Sequence, residues 1–144
     1  MSRVDASARR RAREAALQML YQWEIGRISA EEAIESFWQR DDVDDLDEDA
    51  RGFADGLLRG TVRRLAEIDA MLAASATNWR VERMAVIDRL VLRLAVCEML
   101  EQPATPAKVV INEAIEVARV YSGDEAVAFV NGVLDAVRKA LGRD

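Results

Sequence analysis

Apolar residues recur three and four positions apart along nearly the whole chain and nowhere alternate with polar ones over the length of a strand. That periodicity predicts an all-α protein. In a first helix, from about Ser7 to Ile25, Ala12, Ala16, Met19 and Trp23 share one face, which should be core. Arg10, Arg13, Leu17 and Tyr21 follow the same spacing on a neighbouring face. Ser7 is a candidate N-cap, and Gly26 a candidate C-terminal cap. The stretch "SAEE" announces a second helix, because Ser29 followed by Glu32 has the spacing of a capping box, and Ile34, Phe37 and Trp38 supply its buried side.

A long third helix is expected from about Asp47 to Ser75, carrying Phe53, Leu57, Val62, Leu65, Ile68 and Leu72. Gly52, Gly56 and Gly60 recur on one side of it. Each costs about 1 kcal/mol against alanine in a helix interior. The stripe therefore predicts close helix approach, with a kinked or loosened helix as the alternative. "SATNW" breaks the pattern, with Thr77 or Asn78 as the next cap and Trp79 as an apolar anchor. Val81 to Leu100 reads as helix with an irregular first turn, burying Met84, Ile87, Val91, Leu94 and Ala95. Thr105 before Pro106 is a cap followed by proline at the first helical position. The helix that follows, Pro106 to about Tyr121, buries Val110, Ile111, Ala114 and Ala118 and ends at Gly123. The last, from about Glu125 to Leu141, buries Val130, Val133, Leu134 and Val137. Asn131 and Gly132 are poor helix formers there and read as packing residues, Gly132 for close approach.

Composition narrows the function. With 144 residues the chain suits one domain, 1–144, with a sizeable core. The chain carries no histidine, which removes Ser-His-Asp and Cys-His schemes and the commonest zinc sites. No glycine-rich phosphate loop is present. The expectation is a non-enzyme without cofactor or metal. No run approaches a membrane span and no signal-peptide pattern is seen, so a soluble, cytoplasmic protein is expected. Cys97 is alone and forms no disulfide within the chain.

Charge is uneven. The net charge is −6, much of it in the run Arg40 to Asp49, which reads as a solvated loop plus the acidic start of the next helix. Against this, Arg9, Arg10, Arg11 and Arg13 crowd the start of the first helix. The alternative is a solvated helix start; against it, cations there oppose the helix macrodipole, a cost that a function would compensate. Arginine pairs two phosphate oxygens with its planar fork. At physiological salt the Debye length is about 8 Å, so a phosphate touching this patch scarcely feels distant acids.

"RRRAREAALQMLYQWE", "KVVINEAIEVARVYS" and "FVNGVLD", with the Trp79 to Leu100 segment, carry a resemblance. In order and over about Arg9 to Val137, the sequence resembles the NusB family of bacterial transcription antitermination factors. The resemblance implies two small helical bundles packed orthogonally and no catalysis. It implies binding of single-stranded boxA RNA together with NusE, a small ribosomal protein, in a complex that acts with other Nus factors on RNA polymerase during ribosomal RNA synthesis. It assigns Arg9, Arg10, Arg11 and Arg13 to RNA, with Phe129 at the RNA surface and Glu125 near it; Tyr21 and Asp88 match positions facing NusE. Cys97 stands where the family often has an aromatic, and Arg3 with Asp5 leaves a contact from the extreme N-terminus in doubt.

Other readings stay open. Phe129 shares helical spacing with Val133 and reads as core on its own. The chain also fits a protein-binding helical adaptor, or a homodimer whose arginines meet acidic partners. NusB-like domains also open some ribosomal RNA cytosine methyltransferases, but no cofactor-binding domain is read in these 144 residues and catalysis is not expected.

Overall fold

The computed structural model describes residues 6–43, 45–76 and 80–144; Arg3, Asp5, Thr77, Asn78 and Trp79, read above from the sequence, lie outside them. The described residues form α-helices and one 3₁₀ turn, as the periodicity predicts. The chain divides into two compact units, 1–62 and 63–144.

The first unit holds α1 (Ala6–Gly26), α2 (Ala30–Trp38) and nearly all of α3 (Glu48–Arg63). Ala12, Ala16 and Met19 of α1 are fully buried, whereas Trp23 is half-buried. Two local expectations are corrected here. Ser7 lies inside α1 rather than at its cap. At the other end Gly26 is still helical, and the left-handed residue is Arg27, with φ 55°.

The Ser29–Glu32 capping box forms as read. Glu32 N–H donates to Ser29 Oγ at 3.1 Å, and Ser29 N–H donates to Glu32 Oε1 at 3.2 Å. Two side-chain clips join α2 to α3. Arg59 makes a bidentate pair with Glu31 at 2.8 Å, and its guanidinium holds the Glu31 carboxyl below the usual glutamate range. Trp38 Nε1–H donates to Asp55 at 2.8 Å. The acidic run behaves as expected: Asp47 accepts from the Ala50 N–H at 2.9 Å, and Glu48 and Asp49 open α3.

The long third helix is two helices. Arg64, at φ −100° and ψ 18°, leaves helical geometry between α3 and α4 (Leu65–Ser75). No proline or glycine stands at the break, so local sequence did not announce it. The glycine stripe is corrected at two of its three positions; the third, Gly60, is buried. A Cβ at Gly52 or Gly56 would meet nothing within 4 Å, so neither serves close approach. The same is true of Gly132, and Asn131 beside it is exposed. Because open space surrounds both α3 positions, Gly52→Ala and Gly56→Ala are each expected to stabilise the protein by about 0.5–1 kcal/mol. Thermal unfolding of the single and double variants checks this, with near-additive increases expected.

The second unit holds α4, a 3₁₀ turn (Val81–Arg83), α5 (Val86–Glu101), α6 (Ala107–Tyr121) and α7 (Ala126–Ala140). Helices α5, α6 and α7 pack on one another, and α4 packs on α5 and α7. The core is as read except at Ile87, which is half-buried: Met84, Val91, Leu94, Ala95, Val110, Ile111, Ala114, Ala118, Val130, Val133, Leu134 and Val137 are buried, and so is Cys97. Buried within it, Arg93 forms a bidentate pair with Asp69, Nε to Oδ1 and Nη2 to Oδ2, both at 2.9 Å.

The start of α6 differs from the reading. Pro106, with ψ 137°, occupies the cap position, and no side chain caps the helix. Thr105 instead offers its carbonyl to Arg143. Arg143 also donates to the Met99 carbonyl at 2.6 Å, so the C-terminal segment satisfies an end group of α5 that helix geometry leaves unpaired. Gly123, at φ 109°, ends α6 as predicted, where Ser122 and Gly123 N–H both donate to the Ala118 carbonyl.

Candidate functional site

The structure groups the sequence-predicted residues differently from their expected roles. Arg9, Arg10, Arg11, Arg13 and Tyr21 lie on α1 in the first unit; Asp88, Glu125 and Phe129 meet in the second.

Helix α1 has no acidic residue in its first turn, and all four arginines fall within its first eight residues. Arg10 is exposed, and Arg9, Arg11 and Arg13 are half-buried. Burial follows from helical spacing. Arg9, Arg13, Ala16 and Leu20 stand at i, i+4, i+7 and i+11, and Ala16 and Leu20 are fully buried. The two arginines thus extend an apolar stripe and must lie against a neighbour. That neighbour is Phe53 of α3: the Arg9 guanidinium carbon sits 4.0 Å from the ring centroid, and that of Arg13 5.3 Å. Sequence reasoning took Phe53 simply as part of the apolar pattern. Its ring is half-buried at the edge of the buried α3 stripe formed by Ala50, Ala54, Leu57, Leu58 and Thr61. The arginine spacing on α1 was the available signal. Tyr21 is 39% exposed.

In the second unit, Met84, Ala85, Asp88, Ser122, Glu125, Ala126 and Phe129 line an open cavity of about 450 Å³. Met84 and Ala85 precede α5, and Asp88 lies in its first turn. The Gly123 turn delivers Ser122 and Glu125. A Cβ at Gly123 would fall 3.3 Å from Glu125 Oε1, and its positive φ disfavours other residues. Ser122 Oγ–H donates to Asp88 Oδ1 at 2.6 Å, which fixes the carboxylate at the cavity wall. Sequence reasoning missed Ser122. Phe129 is half-buried, between the core and surface readings.

The two sites have opposite chemistry. The α1 cluster offers cations with planar N–H edges, which suit phosphate. The cavity combines apolar walls with two carboxylates, which accept hydrogen bonds and repel phosphate. It suits a flat ring bearing N–H donors, or a cationic side chain. Among the described residues no group of three or more His, Cys, Asp or Glu side chains is disposed to hold a metal ion, and no helix is long and apolar enough to cross a membrane.

Comparisons with known proteins agree on one family. The NusB family model matches residues 10–139. The chain is 44% identical over 138 residues to the transcription antitermination protein NusB of Koribacter versatilis, covering 96% of this chain and 93% of that protein. It is 47% identical over 135 residues to that of Solibacter usitatus, covering 94% and 91%. Among solved structures, T. maritima NusB is similar with a TM-score of 0.81 and 36% identity, over 91% of this chain and 90% of that one. A crystal structure of the antitermination factors NusB and NusE in complex with dsRNA is similar with a TM-score of 0.84 and 26% identity, over 94% and 99%. Sequence and fold agree over more than nine-tenths of its length, and the chain belongs to the NusB family.

Proposed function

We propose that this protein is a transcription antitermination factor that binds single-stranded boxA-type RNA together with NusE, and so supports processive, terminator-resistant transcription. The observation that carries the reading is the arginine cluster at the start of α1, a cationic patch on an otherwise acidic chain. A similar structure solved with NusE and dsRNA supports it.

Arg9, Arg10, Arg11 and Arg13 serve as phosphate contacts. If three or four each neutralise one phosphate, log K against log salt has a slope of roughly −2 to −3. That is a modest electrostatic term, and a second RNA-binding partner adds what one patch lacks. The cavity reads a base. Phe129 offers a stacking face, and Glu125 accepts from an exocyclic amine. Asp88, read from sequence as a NusE contact, shares this cavity, so a single surface would carry RNA and protein contacts together. Tyr21 faces NusE.

The test is RNA binding across salt, with and without NusE, using boxA-type single strands, scrambled single strands and duplex RNA. Tighter, sequence-selective binding of the boxA strand with NusE is expected. Equal binding of scrambled RNA, or indifference to NusE, would sink the reading. Phe129→Ala is expected to lose about tenfold in boxA affinity, in keeping with stacking worth roughly 1–3 kcal/mol per base. The loss should be smaller on scrambled RNA, which a fluorescence titration of both strands resolves.

A further inference from the structure

The arginine patch contains a feature that phosphate binding alone does not require. Arg9 and Arg13, one turn apart on α1, both lie over the same ring, Phe53 of α3. Two like charges one turn apart repel. The negative face of an aromatic ring attracts both and offsets that repulsion. Other arginines in this unit also lie over rings, but among the described residues each has its ring to itself. Arg40, over Phe37, pairs with Asp42 at 2.8 Å, and Arg51, over Trp38, donates to the Leu46 carbonyl at 3.1 Å. The Phe53 contact differs in that two arginines, both of the α1 cluster, share one ring.

Arginine has among the largest rotamer freedoms of any side chain, and binding must remove it. A side chain already held in place loses less on binding. We propose that Phe53 is a positioning residue for RNA: its ring holds the Arg9 and Arg13 guanidiniums as one pre-arranged pair, so that both meet successive phosphates without first being ordered. The proposal rests on the RNA-binding reading of those arginines. It explains why an aromatic stands at the edge of the α3 stripe, where an aliphatic residue would satisfy the core equally well. Phe53 itself touches no phosphate in this account.

The experiment is a mutant cycle read by boxA-type RNA binding. Phe53→Leu keeps an apolar side chain and removes the ring. It is expected to weaken binding about three- to fivefold at physiological salt, the range of one or two exposed cation–π contacts. The slope of log K against log salt stays as in the wild type, because the arginines remain. Phe53→Tyr and Phe53→Trp, which retain a π face, should restore affinity even where Phe53→Leu also lowers the melting temperature. In an R9A/R13A background, Phe53→Leu should change binding no further. A wild-type affinity for Phe53→Leu, or the same loss in the R9A/R13A background, overturns the proposal and leaves the RNA reading standing. Unchanged RNA binding by R9A/R13A itself overturns that reading, and this proposal with it.

Discussion

Replacing Arg9, Arg10, Arg11 and Arg13 together by alanine is expected to weaken boxA RNA binding by roughly two orders of magnitude at physiological salt, from a single-strand release of about 0.7 counterions per neutralised phosphate. The same variant should lose nearly all salt dependence, its log–log slope rising from roughly −2 to −3 toward zero. These effects go together because the favourable term is largely counterion release. The negative net charge of the chain does not cancel it, since exposed acids more than a Debye length of about 8 Å away are screened. Folding should survive. Alanine is the best helix former, and removing cations from the start of α1 relieves their conflict with the macrodipole. The structural loss includes the cover over Phe53. Titrations at several salt concentrations, beside melting curves, separate the two effects. A variant that melts normally and binds boxA RNA as tightly as the wild type would remove the arginines from the mechanism.

Asp69→Ala should be among the most damaging single changes to stability. Arg93 has a side chain only 8% exposed, and its fork is matched by both oxygens of Asp69. Deleting the acid leaves a buried cation without its principal counter-charge, a defect that costs about 3–5 kcal/mol when the pair is fully buried. Asp69 is 31% exposed, so water can partly replace it, and about 2–4 kcal/mol is the expected loss. For a chain of this size that lowers the melting temperature by about 10 °C. Removing both charges should cost much less: Arg93→Met with Asp69→Leu is expected to recover most of the loss, because an apolar pair of similar bulk has no desolvation cost. Thermal melts of the two singles and the double measure the coupling. A double variant as unstable as Asp69→Ala alone would show that the site depends on shape rather than charge balance.

Most helices of this protein were legible before its structure, and the reasons are local. A buried face at three- and four-residue spacing needs no knowledge of what it packs against, so the cores of α1, α6 and α7 are read from one segment each. The Ser29–Glu32 capping box and the Gly123 turn are equally local, because their hydrogen bonds close within a few residues. The arginine cluster was visible for the same reason: four charges within five positions remain together in any helix. Resemblance added the expected partners and roles, which residue spacing alone does not supply.

Tertiary structure decided whatever depends on residues distant in sequence. The break at Arg64 divides two good helix-forming stretches and has no breaker residue. The left-handed turn went to Arg27 although Gly26 stood beside it. Gly52 and Gly56 looked like a packing stripe, but a stripe becomes an interface only if another element approaches it, and none does within 4 Å of their missing side chains. Phe53 was one apolar position among several until α1 laid two arginines over it. Asp88 joined Glu125 and Phe129 in one cavity because α5 and the Gly123 turn bring them together across some three dozen residues of chain. By itself, then, the sequence determined which segments are helical, which faces are buried and where positive charge gathers, since short-range sterics, hydrogen bonds and hydrophobic periodicity govern these. Which side chains meet was settled only by folding, because such meetings depend on packing between helices that no local pattern encodes.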